Sequence, residues 1–155
     1  MATQTMRRHA SDNEYLHRDF HGALSAAIDY LDERYGEDAV RDYLREFTTT
    51  FYAPLIQQIA EQGLAPLRDH FQRVYEREGG AAEFRLTEDE LVLRVTSCPA
   101  VTHMRRNGYP VARLWVETTR TVNEALCEGT PFAPELLEYD EQTGASVQRF
   151  YRRAR

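Results

Sequence analysis

Four side chains offer the nucleophilic and basic chemistry that most merits attention: Cys98, His103, His17 and His21. Cys98 lies inside Arg94-Val95-Thr96-Ser97-Cys98-Pro99-Ala100-Val101-Thr102-His103, where a strand-like alternation stops and a proline suited to a first helical turn follows. A thiol at a helix N-terminus faces unpaired amides and the positive end of the dipole, an environment that favours the thiolate, the nucleophilic form. The competing reading is a buried cysteine that packs where strand meets helix. Ser97 could cap the helix equally well. His103 is five residues on, about one and a half turns, so it does not face Cys98 within one helix but can line the same cleft.

His17 and His21 are four apart, on one edge of a helical stripe. That spacing can put two imidazoles on one divalent ion, zinc or iron, with a third ligand from Glu14, Cys98, His103 or His70. Without metal, the same pair could act as a base or contact substrate; otherwise they are partly buried surface histidines. Arg94 and Arg105 are candidates for a two-point contact with a substrate carboxylate. Asn123 lies on the apolar side of a helix beside Val122 and Leu126, facing a cleft or held as a satisfied polar residue. Tyr15 is a candidate pocket hydroxyl among nine tyrosines, although packing at the edge of the core accounts for tyrosines on helices. Trp115 is assigned to packing. Cys127, near a helix end, is expected to be exposed or half-buried, with nothing to activate it.

The elements that must position these groups follow from periodicity. A helical stripe through Leu16, Phe20, Leu24, Ala27, Leu31 and Tyr35 predicts one helix from Asp12 to Tyr35, capped by Ser11 or Asp12 and ended by Gly36. A second begins near Glu37 and breaks at Pro54. A short helix carries Leu55, Ile56 and Ile59 to Gly63, and another runs from Pro66 to Gly79-Gly80. The period then drops to two: Phe84 and Leu86, then Leu91, Leu93 and Val95, form a hairpin with one apolar face. Pro99 opens a short helix that stops by Asn107-Gly108, and Pro110 is expected to open another, closed by Gly129. After a loop at Thr130–Pro134, Leu136–Tyr139 and Ser146–Arg152 predict a second hairpin. The class is α+β: an antiparallel sheet of about four strands in two hairpins, packed against a layer of five to six helices. Residues 1–11 read as a flexible arm, 12–152 as one domain and 153–155 as a basic tail.

Composition narrows the function. At 155 residues the chain suits one domain. A net charge of -6 argues against nucleic acid as a partner, because phosphate contacts need a basic face. No apolar run approaches the ~18 residues of a membrane span. All 19 basic side chains are arginine, so a lysine Schiff base is impossible and no P-loop lysine exists. Two cysteines make no disulfide framework, and with no secretory signal a cytoplasmic location is expected.

Two stretches carry a resemblance: the helix end Glu33-Arg34-Tyr35-Gly36-Glu37-Asp38-Ala39, and the hairpin running into Thr96-Ser97-Cys98-Pro99-Ala100-Val101-Thr102-His103 before a further helix and a closing strand. In this order of features the chain resembles the L-2-amino-thiazoline-4-carboxylic acid hydrolase-like family of small bacterial proteins, over most of residues 12 to 152. The resemblance implies a hydrolase acting on a C–N or C–S bond of a small cyclic amino-acid derivative, or a member that only binds ligands. The expectation is a small-molecule hydrolase with a pocket between the first helix and the Cys98 turn. Its rivals are a metal-dependent enzyme built on His17 and His21 and a non-catalytic ligand-binding or partner subunit. A homo-oligomer or a partner enzyme is compatible with each.

Overall fold

The computed structural model describes residues 18–154. Among them six helices precede, separate and pack on a four-stranded antiparallel sheet, an α+β fold. The helices are α1 (Phe20–Tyr35), α2 (Glu37–Phe51), α3 (Ala53–Gln62), α4 (Ala65–Glu78), α5 (Pro99–Arg106) and α6 (Glu117–Leu126). The strands are β1 (Ala81–Leu86), β2 (Glu90–Ser97), β3 (Phe132–Tyr139) and β4 (Ser146–Arg152). The strand order is β1-β2-β4-β3, so the two hairpins are joined edge to edge through β2 and β4. No helix among the described residues is long and apolar enough to cross a membrane.

Alternation sets the two faces of the sheet. Leu91, Leu93 and Val95 on β2 pair with Phe150, Gln148 and Ser146 on β4, and all six are buried beneath the helices. Complete burial of each of the three large apolar side chains among them, Leu91, Leu93 and Phe150, is worth ~1.5–3 kcal/mol. The opposite face is polar. There Arg85, Glu90, Arg149 and Glu135, one from each strand, form a ladder of ion pairs across the sheet. The interior divides into two apolar clusters. Ile28, Val40, Leu44, Val101, Met104 and Trp115 centre one between α1, α2 and α5. Ile59, Leu67, Leu91, Leu126, Phe132 and Phe150 centre the other beneath α3, α4 and α6.

Three boundaries differ from expectation. Arg18 and Asp19 form a turn and α1 starts at Phe20, so the continuous helix expected from Asp12 is interrupted there; Ser11 and Asp12 lie outside the described residues. Pro110 opens no helix. The 109–116 segment is irregular because the buried Ser25 hydroxyl donates to the Pro110 carbonyl (2.8 Å) and accepts from the Ala112 amide (2.8 Å), and these bonds dock it on α1. β3 begins at Phe132 instead of Leu136, taking in Pro134, which an edge strand tolerates because its N–H side needs no partner.

At the junction of α2 and α6 sits a carboxylate, Glu117, only 1% exposed. It accepts from Arg120 (2.8 Å) and from the Thr121 hydroxyl (2.7 Å), and Arg41 of α2 lies 3.7 Å away. Removing it leaves the buried Thr121 hydroxyl and the Arg120 guanidinium without their partner, while Arg41 keeps Glu37 and Asp38. Glu117→Ala is therefore expected to destabilise the protein by about 2 kcal/mol in urea unfolding, and Glu117→Gln, which keeps the shape, by less. A loss below about 0.5 kcal/mol, the range of ordinary surface substitutions, would show that the carboxylate does not tie the two helices together.

Candidate functional site

Five side chains from four separate stretches gather where α1, the end of α4, the start of α5 and β3 meet. α1 supplies His21, just inside its N-terminus. α4 supplies Tyr75 and Glu78, three apart and so on one face of its last turn. The chain then reverses at Gly79, whose left-handed conformation (φ 73°) ends the helix. Cys98 is the N-cap residue of α5, with Pro99 in the first turn as expected.

Tyr139 arrives by a less direct route. On β3, Pro134 and Leu136 share the inner face of their β4 partners Phe150 and Gln148. A bulge between Leu136 and Glu138 then shifts the register, so that Tyr139 pairs with Ser146 and returns to the inner face. Without the extra residue, Glu138 would hold that place.

The central contact is between His21 and Glu78, 57 residues apart: Nε2 lies 2.9 Å from the carboxylate, with both side chains mostly buried. A carboxylate only accepts, so Nε2 is the donor in this contact. Nδ1 makes no hydrogen bond with any described residue. Trp115 stands edge-on to the imidazole at 6.4 Å between ring centroids and holds it from the core side. Glu78 thus fixes the orientation of the imidazole through Nε2.

Burial pushes the Cys98 thiol up, more than the Val101 and Ala100 amides lower it, and the Glu78 carboxylate adds to the rise. This corrects the expectation of a thiolate at the helix N-terminus. The amides are present, but desolvation of the charged sulfur outweighs them, and the cysteine is held protonated at neutral pH. Tyr75 is raised strongly by burial and then by Cys98, Glu78 and Tyr139, while Tyr139 is pushed up to about 12 by burial, Cys98, Glu141 and Asp140. Both phenols stay neutral donors. The mutual influence of Cys98, Glu78 and the two tyrosines places all four in one electrostatic neighbourhood, which the Glu78 contact extends to His21.

Other expected site residues lie elsewhere. His103 faces Asp19, ahead of α1, with Nε2 3.0 Å from its carboxylate and Asn107 on its other side. It makes no hydrogen bond to Cys98. Arg94 is on the outer, solvent-facing side of the sheet, opposite Glu83 and Val147, because alternation sends it away from the face that Leu93 and Val95 present to the helices. It cannot hold a substrate on the Cys98 side. Asn123 is buried, and its amide donates to Gln148 (2.7 Å), which donates to Ser146 (3.0 Å), so it is a satisfied core residue and not a cleft residue. Cys127 is fully buried and pushed up to about 12 by burial, not half-exposed.

His17 and Tyr15 lie outside the described residues. The His21 Nε2 is engaged by Glu78. Among the described residues no group of three or more His, Cys, Asp or Glu could hold a metal ion. His70, considered as a third ligand, is eight residues before Glu78 on α4, about 12 Å along the helix axis, and sits among aromatic rings.

Arg105 does border a cleft, of about 130 Å³, together with Val111, Arg113, Trp115, Val116, Tyr139 and Glu141. One of these, Tyr139, belongs to the cluster and is acted on by Cys98, and another, Trp115, stands beside the His21 ring. The cleft thus shares Tyr139 with the cluster and Trp115 with the His21 ring contact.

Glu78, Tyr75 and Tyr139 were not singled out from the sequence. One signal was available for Glu78. An acidic side chain in the last turn of a helix opposes the dipole, and such a placement calls for a partner elsewhere. No protein-family model matches the chain, and no curated protein matches it.

Proposed function

We propose that the chain is a small-molecule hydrolase-like enzyme that cleaves a C–N or C–S bond of a small, carboxylate-bearing cyclic metabolite. His21 with Glu78 is the base and Cys98 the nucleophile. The observation that carries this reading is the position of Glu78, which meets His21 at 2.9 Å and acts on the Cys98 thiol. A thiol held protonated needs a base at the moment of attack, and in this reading the Glu78-oriented imidazole supplies it. In the step we envisage, the sulfur adds to the electrophilic carbon as its proton passes to His21. The leaving nitrogen or sulfur takes that proton, and water then releases the product from the cysteine. Tyr75 and Tyr139, as neutral donors, would stabilise negative charge developing on the substrate. The setting is cytoplasmic, and the enzyme would work as a homo-oligomer or beside a partner enzyme.

A second reading, a ligand-binding subunit without catalysis, draws on one observation: Cys98 makes no hydrogen bond to a described histidine and is raised, not lowered. Turnover of 2-aminothiazoline-4-carboxylate and related cyclic amidines by the purified protein separates the two. Cys98→Ser and His21→Gln are each expected to lower kcat at least tenfold with an unchanged melting temperature. Undiminished kcat in either variant removes the dyad–thiol mechanism, and tight binding without any turnover favours the subunit reading.

A further inference from the structure

We infer that Arg105 and Glu141 form a two-charge filter on the cleft beside the cluster, selecting small ligands that carry both a carboxylate and a cationic nitrogen. This rests on reading the cleft as the substrate's place next to His21 and Cys98. Three charged residues border it. Arg113 is already spent: its guanidinium donates to both oxygens of Asp32 (2.9 and 2.7 Å) and to Glu37 (2.8 Å). Arg105 and Glu141 are not. The Arg105 guanidinium reaches only the Glu141 carbonyl, at 3.4 Å, and neither side chain makes an ion pair with any described residue.

Two opposite charges thus stand on one cleft, adjacent through a backbone contact yet unpaired. Both side chains are exposed, so a ligand with one charge engages one of them and leaves the other to water. A ligand with both charges satisfies both, the carboxylate on the planar guanidinium and the cationic nitrogen on Glu141. Val111, Val116 and Trp115 supply apolar wall, so the body between the charges is compact and uncharged. A volume of about 130 Å³ holds a molecule of amino-acid size and falls well below the ~300 Å³ at which drug-sized pockets begin.

The test uses three probes of one shape: L-proline, N-acetyl-L-proline, which lacks the cationic nitrogen, and L-prolinamide, which lacks the carboxylate. Affinities are measured by calorimetry or amide chemical shifts. On the wild-type chain L-proline is expected to bind at least tenfold tighter than either blocked form. Arg105→Gln should equalise L-proline with L-prolinamide, and Glu141→Gln should equalise it with N-acetyl-L-proline. Equal affinities on the wild type, no binding of any probe, or variants that discriminate as the wild type does would each overturn the filter. The readout does not depend on turnover. Discrimination without turnover sinks the hydrolase reading and leaves the filter standing, whereas Cys98-dependent turnover without discrimination does the reverse.

Discussion

Gly144→Ala is expected to destabilise the protein by about 3 kcal/mol. Gly144 is buried in the β3–β4 loop with φ +70°, where an L side chain costs ~1–2 kcal/mol. Space adds a second penalty. A Cβ there would stand 2.7 Å from the Cys98 Cβ and 2.8 Å from the Val101 Cγ2. The Cys98 Cβ is held by the backbone at the head of α5 and cannot swing aside, and overpacking of this kind costs ~1–3 kcal/mol. Gly129→Ala is the control: φ is +69° but nothing lies within 4 Å, so only the conformational part should appear. Urea unfolding of the two variants measures the difference. Equal losses would mean that the loop does not press on Cys98. The contact also bears on function, because it is the absence of a side chain at Gly144 that lets the loop close over the thiol and desolvate it.

The second large effect is a loss of stability in mild acid traced to His70. Its imidazole lies edge-on to Tyr52 at 5.2 Å and beside Phe71 at 5.7 Å, and makes no hydrogen bond with any described residue. Burial, and then Arg73, pull it down to about 4. In the unfolded chain the same group titrates near 6.5. The unfolded state therefore takes up the proton first. Stability is fully present above pH 6.5 and is lost as the pH falls from 6.5 towards 4. About 2.5 pH units at ~1.36 kcal/mol each give a total near 3 kcal/mol. Carboxylates titrate in the lower part of this window, so the comparison is with His70→Phe, which keeps an aromatic ring and removes the proton site. Unfolding free energies at pH 7.5, 6, 5 and 4.5 should fall more steeply for the wild type than for the variant. Parallel curves would show that the imidazole is not held neutral by the fold.

These two positions show different degrees of legibility. His70 sits at a helical period beside Phe71 and Val74, so its helix could be read, but its burial under Tyr52 depends on how α3 packs on α4. Arg94 was readable in full: the alternation that buries Leu93 and Val95 sends the residue between them outward, and the expectation of a substrate contact overlooked it. Tyr139 was not readable, because one bulged residue changes its face and nothing in Leu136-Leu137-Glu138-Tyr139 says which residue will bulge.

Local chemistry in the sequence was enough for the element order, for the α+β class, for Pro99 as the opening of α5 and for Cys98 at its head. Each depends on neighbours within about a turn or a strand pair: period, propensity, proline and glycine geometry. Only the tertiary structure decided what surrounds Cys98. The His21–Glu78 contact spans 57 residues, and Glu78, which spacing did not single out, also acts on the Cys98 thiol. The same packing reversed the expected ionisation. A helix N-terminus is a local feature and favours a thiolate, but desolvation is set by everything that closes over the sulfur, and here it outweighs the amides.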